Sequence, residues 1–191
     1  AYYARVLKDD WSLALDILSD IITDPVFHPE ELERERDVIL QEIAAANDTP
    51  DDLVFDLAHA AAFPAHALGR PILGLAEQVQ SHSAAAIMAY RDDHYCANRM
   101  VVAAAGHIDH DRLVAEAERR LGNVKPGPAA LWQSARFGGG AMTASRPLDQ
   151  THVVFAFPAI GYRDERIYAL QILANVLGGG MSSRLFQDVR E

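Results

Sequence analysis

The chain has 191 residues, half of them apolar and 23% charged, with a net charge of −10 from 17 basic and 27 acidic side chains. This is an ordinary globular composition, enough for one domain or pieces of two. No apolar run approaches the ~20 residues of a membrane span and no signal-peptide pattern opens the chain; no basic cluster points to nucleic acid; and a single cysteine, Cys96, excludes an internal disulfide and a cysteine-based zinc site.

In chain order, "AYYARVLK" reads as a strand. "DDWSLALDILSDIIT" follows as an amphipathic helix, with Trp11, Leu15, Leu18 and Ile22 on or near one side. After the loop "DPVFHP" comes a helix of about 18 residues, from "HPEEL" through "ERERDVILQE" into "IAAAND". Pro29 suits its first turn, Glu30 and Glu31 favour its positive end, and "NDTP" stops it. "DDLVFDLAHAAAF" is a further helix, closed by the Pro/Gly-punctuated loop "PAHALGRPILG". "SHSAAAIMAYRDDHY" is a helix, "RMVVAAAG" a buried strand, and "DHDRLVAEAERRLG" a helix capped near Asp109 and closed by Gly122. Residues 123–148 carry three prolines and a glycine run and form the best linker. "THVVFAFPAI" is then a strand, "DERIYALQILANVLGGG" a helix, and "MSSRLFQDVRE" the start of another. The order gives an α+β class with a sheet covered by helices.

The helix over 29–48 poses a problem. On a wheel of about 100° per residue with Glu35 at zero, its apolar residues span roughly 140°, from Val38 to Ile43. Glu35 and Glu42 lie inside that arc, while Glu33, Arg34, Arg36 and Asp37 lie outside it. An ionised carboxylate buried without a partner costs several kcal/mol or more, on the order of its desolvation penalty. The pattern therefore calls for cations facing both glutamates: arginines elsewhere in the chain, or a metal. Two turns separate the pair by about 10.5 Å along the axis, too far for both to ligate one ion. One glutamate would be a ligand, and the other would support it or contact substrate.

Other constellations have plainer readings. His107 and His110 straddle a strand-to-helix turn where Asp109 is more simply a cap. His59, His66 and His94 suit core, capping or helix-end roles. No HxxEH or HExxH occurs, so the sequence lacks a self-sufficient zinc site. "LGGGMSSRLF" follows a helix rather than a strand and lacks the GK[ST] of a phosphate loop; glycine termination followed by a serine cap explains it.

Taken in order, "YYARVLKDDWSLALDILSDII", "ELERERDVILQEI", "ALGRPILG", "AYRDDHY…NRMVVAAAGHIDHDRLV" and "LGGGMSSRLFQDVRE" resemble the M16 metallopeptidases, the pitrilysin and insulin-degrading group, and within it the mitochondrial-processing-peptidase-like branch. The resemblance implies a two-layer LuxS/MPP-like metallohydrolase fold, a mixed sheet covered by helices and repeated in a second domain. It implies that residues 1–124 are the later part of the first, zinc-site domain, 125–148 the linker, and 149–191 the start of the second. The family's E-x6-E pattern falls on Glu35 and Glu42, which assigns Glu42 to zinc and Glu35 to supporting the site. Arg190 matches an arginine that reaches the substrate backbone; the tyrosine that accompanies it would lie beyond Glu191. The two histidine ligands and the general base, in an HxxEH, would precede residue 1. Both ends are thus read as cuts in a longer parent, and the chain alone is expected to be inactive.

The implied activity is zinc-dependent endopeptidase chemistry, in which the metal activates water and polarises the scissile carbonyl of an extended peptide in an interdomain cleft. The implied partners are a second copy or a related M16 subunit, with no nucleic acid and no membrane. The implied location is the bacterial cytoplasm, or alternatively the mitochondrial matrix. The rival is a non-catalytic M16-like subunit that binds peptides or scaffolds a complex.

Overall fold

A computed structural model describes residues 1–129 and 132–190. Ala130 and Leu131, within the expected linker, and Glu191, in the stretch expected to start the second domain, lie outside the described residues. The elements are seven α-helices among the described residues: α1 (Trp11–Thr23), α2 (Pro29–Asp48), α3 (Pro50–Ala62), α4 (Ala76–Ser81), α5 (Ala84–His94), α6 (His110–Leu121) and α7 (Ile167–Gly178). Short 3-10 turns cover Ala67–Gly69 and Ala97–Arg99, and a π-helical turn covers Phe186–Arg190. The chain divides into two units, residues 1–53 with 70–135, and residues 54–69 with 136–191.

The helix ends follow local chemistry. Pro29 occupies the first turn of α2, where its missing N–H costs nothing. Asp109 caps α6 by accepting from the Arg112 backbone N–H at 2.9 Å, as the sequence predicts. Ser83 caps α5 by accepting from Ala86 N–H at 3.2 Å. The six-residue α4, to which the sequence assigns no element before Ser81, separates "GRPILG" from α5.

In the first unit the helices pair α1 with α6 and α2 with α4. Arginines carry these contacts. Arg120 of α6 pairs with Asp16 of α1, and the Arg112 guanidinium lies 5.6 Å from the centroid of the Trp11 ring. Arg91 of α5 donates to the carbonyl of Thr23, the last residue of α1, at 3.4 Å. Residues 125–128 are stitched to the turn after α5. Ala97 N–H donates to Lys125 O, and the Asn98 amide exchanges bonds of 2.9 and 3.0 Å with the Gly127 backbone.

In the second unit Gly138 N–H donates to Ala62 O at 2.8 Å, and Phe137 meets Phe63 edge-on with centroids 6.2 Å apart. Gly138 abuts Pro64 so closely that an added Cβ would lie 2.9 Å from the proline ring. The next residue, Gly139, has φ +68°, which suits glycine. α7 is apolar except for Gln171 and Asn175, which share one face, yet Tyr168, Ile172, Leu173 and Val176 are each more than half exposed.

The expected α+β fold with a mixed sheet is not found. Among the described residues there is no strand; residues 1–7, 100–105 and 151–160, read as strands, are irregular. Residues 2–8 and 102–108 both line a cavity of about 420 Å³ against α1 without joining in a ladder. The physical reason is that an apolar run rich in valine fixes only a local preference. A strand exists only when a second segment satisfies its backbone groups, and pairing is non-local information.

Burial is correspondingly sparse. The described apolar core is Leu15, Ile43, Ala62 and Cys96. The accessible surface is 15760 Å², where a folded monomer of this mass exposes about 9,000 Å². The 191 residues alone are therefore expected to unfold without a single cooperative transition; a two-state calorimetric melt would contradict this.

At the chain start, the Tyr2 and Tyr95 hydroxyls lie 2.8 Å apart with their rings edge-on. That shared bond, then burial, raises the Tyr95 hydroxyl above its ordinary 10.0. Because the folded value is the higher one, the bond stabilises at neutral pH and is lost as pH rises through it. Tyr2→Phe is expected to bring the Tyr95 titration, followed by NMR in the full-length protein, back toward 10.0.

Candidate functional site

α2 contains seven acidic residues and two basic ones, Arg34 and Arg36. Each arginine pairs with the glutamate one turn before it: Arg34 with Glu31 at 2.6 Å, and Arg36 with Glu33. Both cations of the helix are thus occupied close to its N-terminus. Glu35 and Glu42 are exposed, and among the described residues neither carboxylate takes part in an ion pair or hydrogen bond.

This corrects the expectation that both glutamates are buried against cations. The wheel explains the difference. Buried and half-buried positions run from Ala46 near 20° through Ile39, Leu32, Ile43 and Arg36 to Leu40, about 140° from Glu35. The packed arc is centred at roughly 80°, not at the glutamates. Glu35, Glu42 and the 46%-exposed Val38 occupy its open flank. A carboxylate in water loses no hydration, so nothing demands a partner. Arg36 moves the other way. Placed outside the stripe by its charge, its side chain is only 18% exposed and bonds the main chain of α4. The available signal was its position one step past Ile43, where a long stem can pack while its head finds carbonyls.

Arg190 lies in the π-helical turn of the second unit, its guanidinium 5.0 Å from the centroid of the Phe186 ring four residues earlier. The glycine-rich stretch before it ends α7 at Gly178, and Ser183 carries the next turn by accepting Gln187 N–H on its backbone carbonyl. The Ser183 hydroxyl is buried without a partner among the described residues, so the expected side-chain cap is not made. His66 is a turn residue, its Nδ1 accepting from Leu68 N–H at 3.1 Å, and His94 packs on Tyr90 at a centroid distance of 4.2 Å.

A catalytic zinc takes three protein ligands. Among the described residues no three His, Cys, Asp or Glu side chains come together as a metal site. Glu42, an accessible carboxylate with no competing cation, fits one ligand position, and nothing described here completes the set. Among the described residues no helix is long and apolar enough to cross a membrane.

A sequence profile for the peptidase M16 inactive domain matches residues 81–191, more than half of the chain. The chain belongs to peptidase family M16. A second profile, insulinase (peptidase family M16), matches residues 1–75 of this M16 chain and takes in α2 with both glutamates. Relatives named uncharacterized zinc proteases align along its entire length: one from Rickettsia felis is 40% identical and one from Bacillus subtilis 39%, each covered over 46% of its own length. The M16 chain thus spans about half the length of the curated relatives it matches. Its backbone also resembles solved structures. The M16 inactive domain of Pseudomonas fluorescens superposes with a TM-score of 0.75 at 20% identity, over 96% of this chain and 45% of that one. A protease from Helicobacter pylori superposes with a TM-score of 0.74 at 15% identity, over 96% and 46%.

Proposed function

We propose that this chain is part of a zinc-dependent M16 endopeptidase, to which it contributes Glu42 as one metal ligand, Glu35 as the group that supports the site, and Arg190 as a contact to the peptide backbone. The observation that carries the reading is α2 itself, which spends both its arginines on Glu31 and Glu33 and leaves Glu35 and Glu42 in water without a counter-ion. An exposed like-charged pair two turns apart has no value to the helix, whereas a cation site needs such donors unoccupied. The names of the relatives, zinc proteases, point the same way.

The remaining ligands and the base that takes a proton from water are assigned to residues outside these 191. Residues 1–124 are read as belonging to the first M16 domain, 125–148 as the linker and 149–191 as entering the second. The substrate is an extended peptide, the partner a second copy or a related subunit, and the location the bacterial cytoplasm.

In the full-length protein, Glu42→Gln is expected to remove most bound zinc and to lower peptidase activity at least 100-fold, measured by metal analysis and cleavage of a fluorogenic peptide. Glu35→Gln is expected to weaken zinc binding by about tenfold, the scale of a supporting group. Unchanged zinc content in Glu42→Gln, with equal or better stability, would replace this reading with a scaffold role.

A further inference from the structure

We infer that Arg36 is the positioning residue of this site: it sets the rotation of α2 about its axis and so holds Glu35 and Glu42 on the open side. The inference rests on the role just proposed for those glutamates, and it comes from a contact that crosses between two helices.

Arg36 reaches from the middle of α2 to the end of α4. Its Nη2 donates to the His82 carbonyl at 2.9 Å and its Nε to the Val79 carbonyl at 3.3 Å. Its Nη1 faces Glu33 on its own helix. His82 is the C-cap of α4 and Val79 lies in its last turn, so both acceptors belong to the negative end of that helix. A guanidinium is planar and its donors diverge at fixed angles, so binding two carbonyls of one helix end restricts both the distance and the roll of the helix that carries it. Lysine, with one freely turning ammonium, would fix the distance without the roll.

The roll matters because of where the glutamates lie. Arg36 is about 100° from Glu35 and about 120° from Glu42 on the wheel. With Arg36 against α4, both carboxylates point away from the packed arc. The one buried residue of α2 among the described residues is Ile43, still 9% exposed, and the apolar arc beside it is broad and lightly packed. A greasy stripe with half-exposed edges tolerates rotation by tens of degrees at little cost, on the order of the side-chain area exchanged. A rotation of that size would turn Glu42 toward the packed arc, so the directional contact through Arg36 decides the face.

The test uses the full-length protein with Arg36→Met, which keeps an apolar stem and removes every donor. Zinc affinity is read by chelator competition, and amide exchange is read separately in α2–α4 and in α1–α6. The expected result is about tenfold weaker zinc binding, faster exchange in α2 and α4, and unchanged exchange in α1 and α6, with Arg36→Lys intermediate. If Glu42→Gln loses zinc while Arg36→Met binds it as tightly as the parent, the positioning role is wrong and the ligand assignment stands. If Glu42→Gln also keeps its zinc, the ligand assignment itself fails and takes this inference with it. Should Arg36→Met not fold, Arg36→Lys decides: weakened zinc binding with α1 and α6 still protected supports the role, and parental affinity overturns it.

Discussion

The first unit is organised by guanidinium groups that bind main-chain carbonyls at the ends of other elements. Arg36 closes the end of α4, Arg91 the end of α1, and Arg99 ties Asp93 O to Pro128 O at 3.1 and 2.5 Å. Helix ends leave carbonyls without intrahelical partners, and a planar cation with several donors answers that need with direction as well as charge. Where few apolar side chains are buried, such contacts choose among packings that the hydrophobic effect leaves nearly equal. Their individual worth in solvent is modest, so their effect lies in geometry more than in stability.

This division of labour explains what the sequence made legible. The sequence located α1, α2, α3, α5, α6 and α7, the first two by their 3.6-residue period, and the Asp109 cap was readable from composition at the turn alone. The centre of the packed arc on α2 was not readable, because it is set by α4, a six-residue helix with too few turns to show a period. Glu35 and Glu42 were therefore found by spacing, but their surroundings were misjudged, and Arg36 was taken for a solvated charge. The three apolar runs read as strands failed for a related reason: side-chain preference is local, whereas a ladder requires a partner.

The M16 membership and the helical architecture meet at α2. Family membership comes from two profiles that together take in nearly all of the chain. Chemistry comes from a narrower fact, the mismatch between seven acids and two bases on one helix. Seven acids against two bases leave that helix a net charge of −5, and with both arginines paired at Glu31 and Glu33 the uncompensated negative potential extends along its length. Such a potential gathers cations before any specific ligand geometry is complete.

Cys96 carries a different kind of information. Its sulfur is buried, its S–H directed at the Asp92 and Asp93 carbonyls, and the Gly127 backbone lies over it so closely that a side chain there would overlap the thiol. The strand of chain that follows α6 is consequently a stopper over the chain's sole cysteine. Alkylation of that thiol can proceed only as fast as residues 125–128 lift from the turn at 96–99, which makes the sulfur a built-in chemical clock for the opening of that segment.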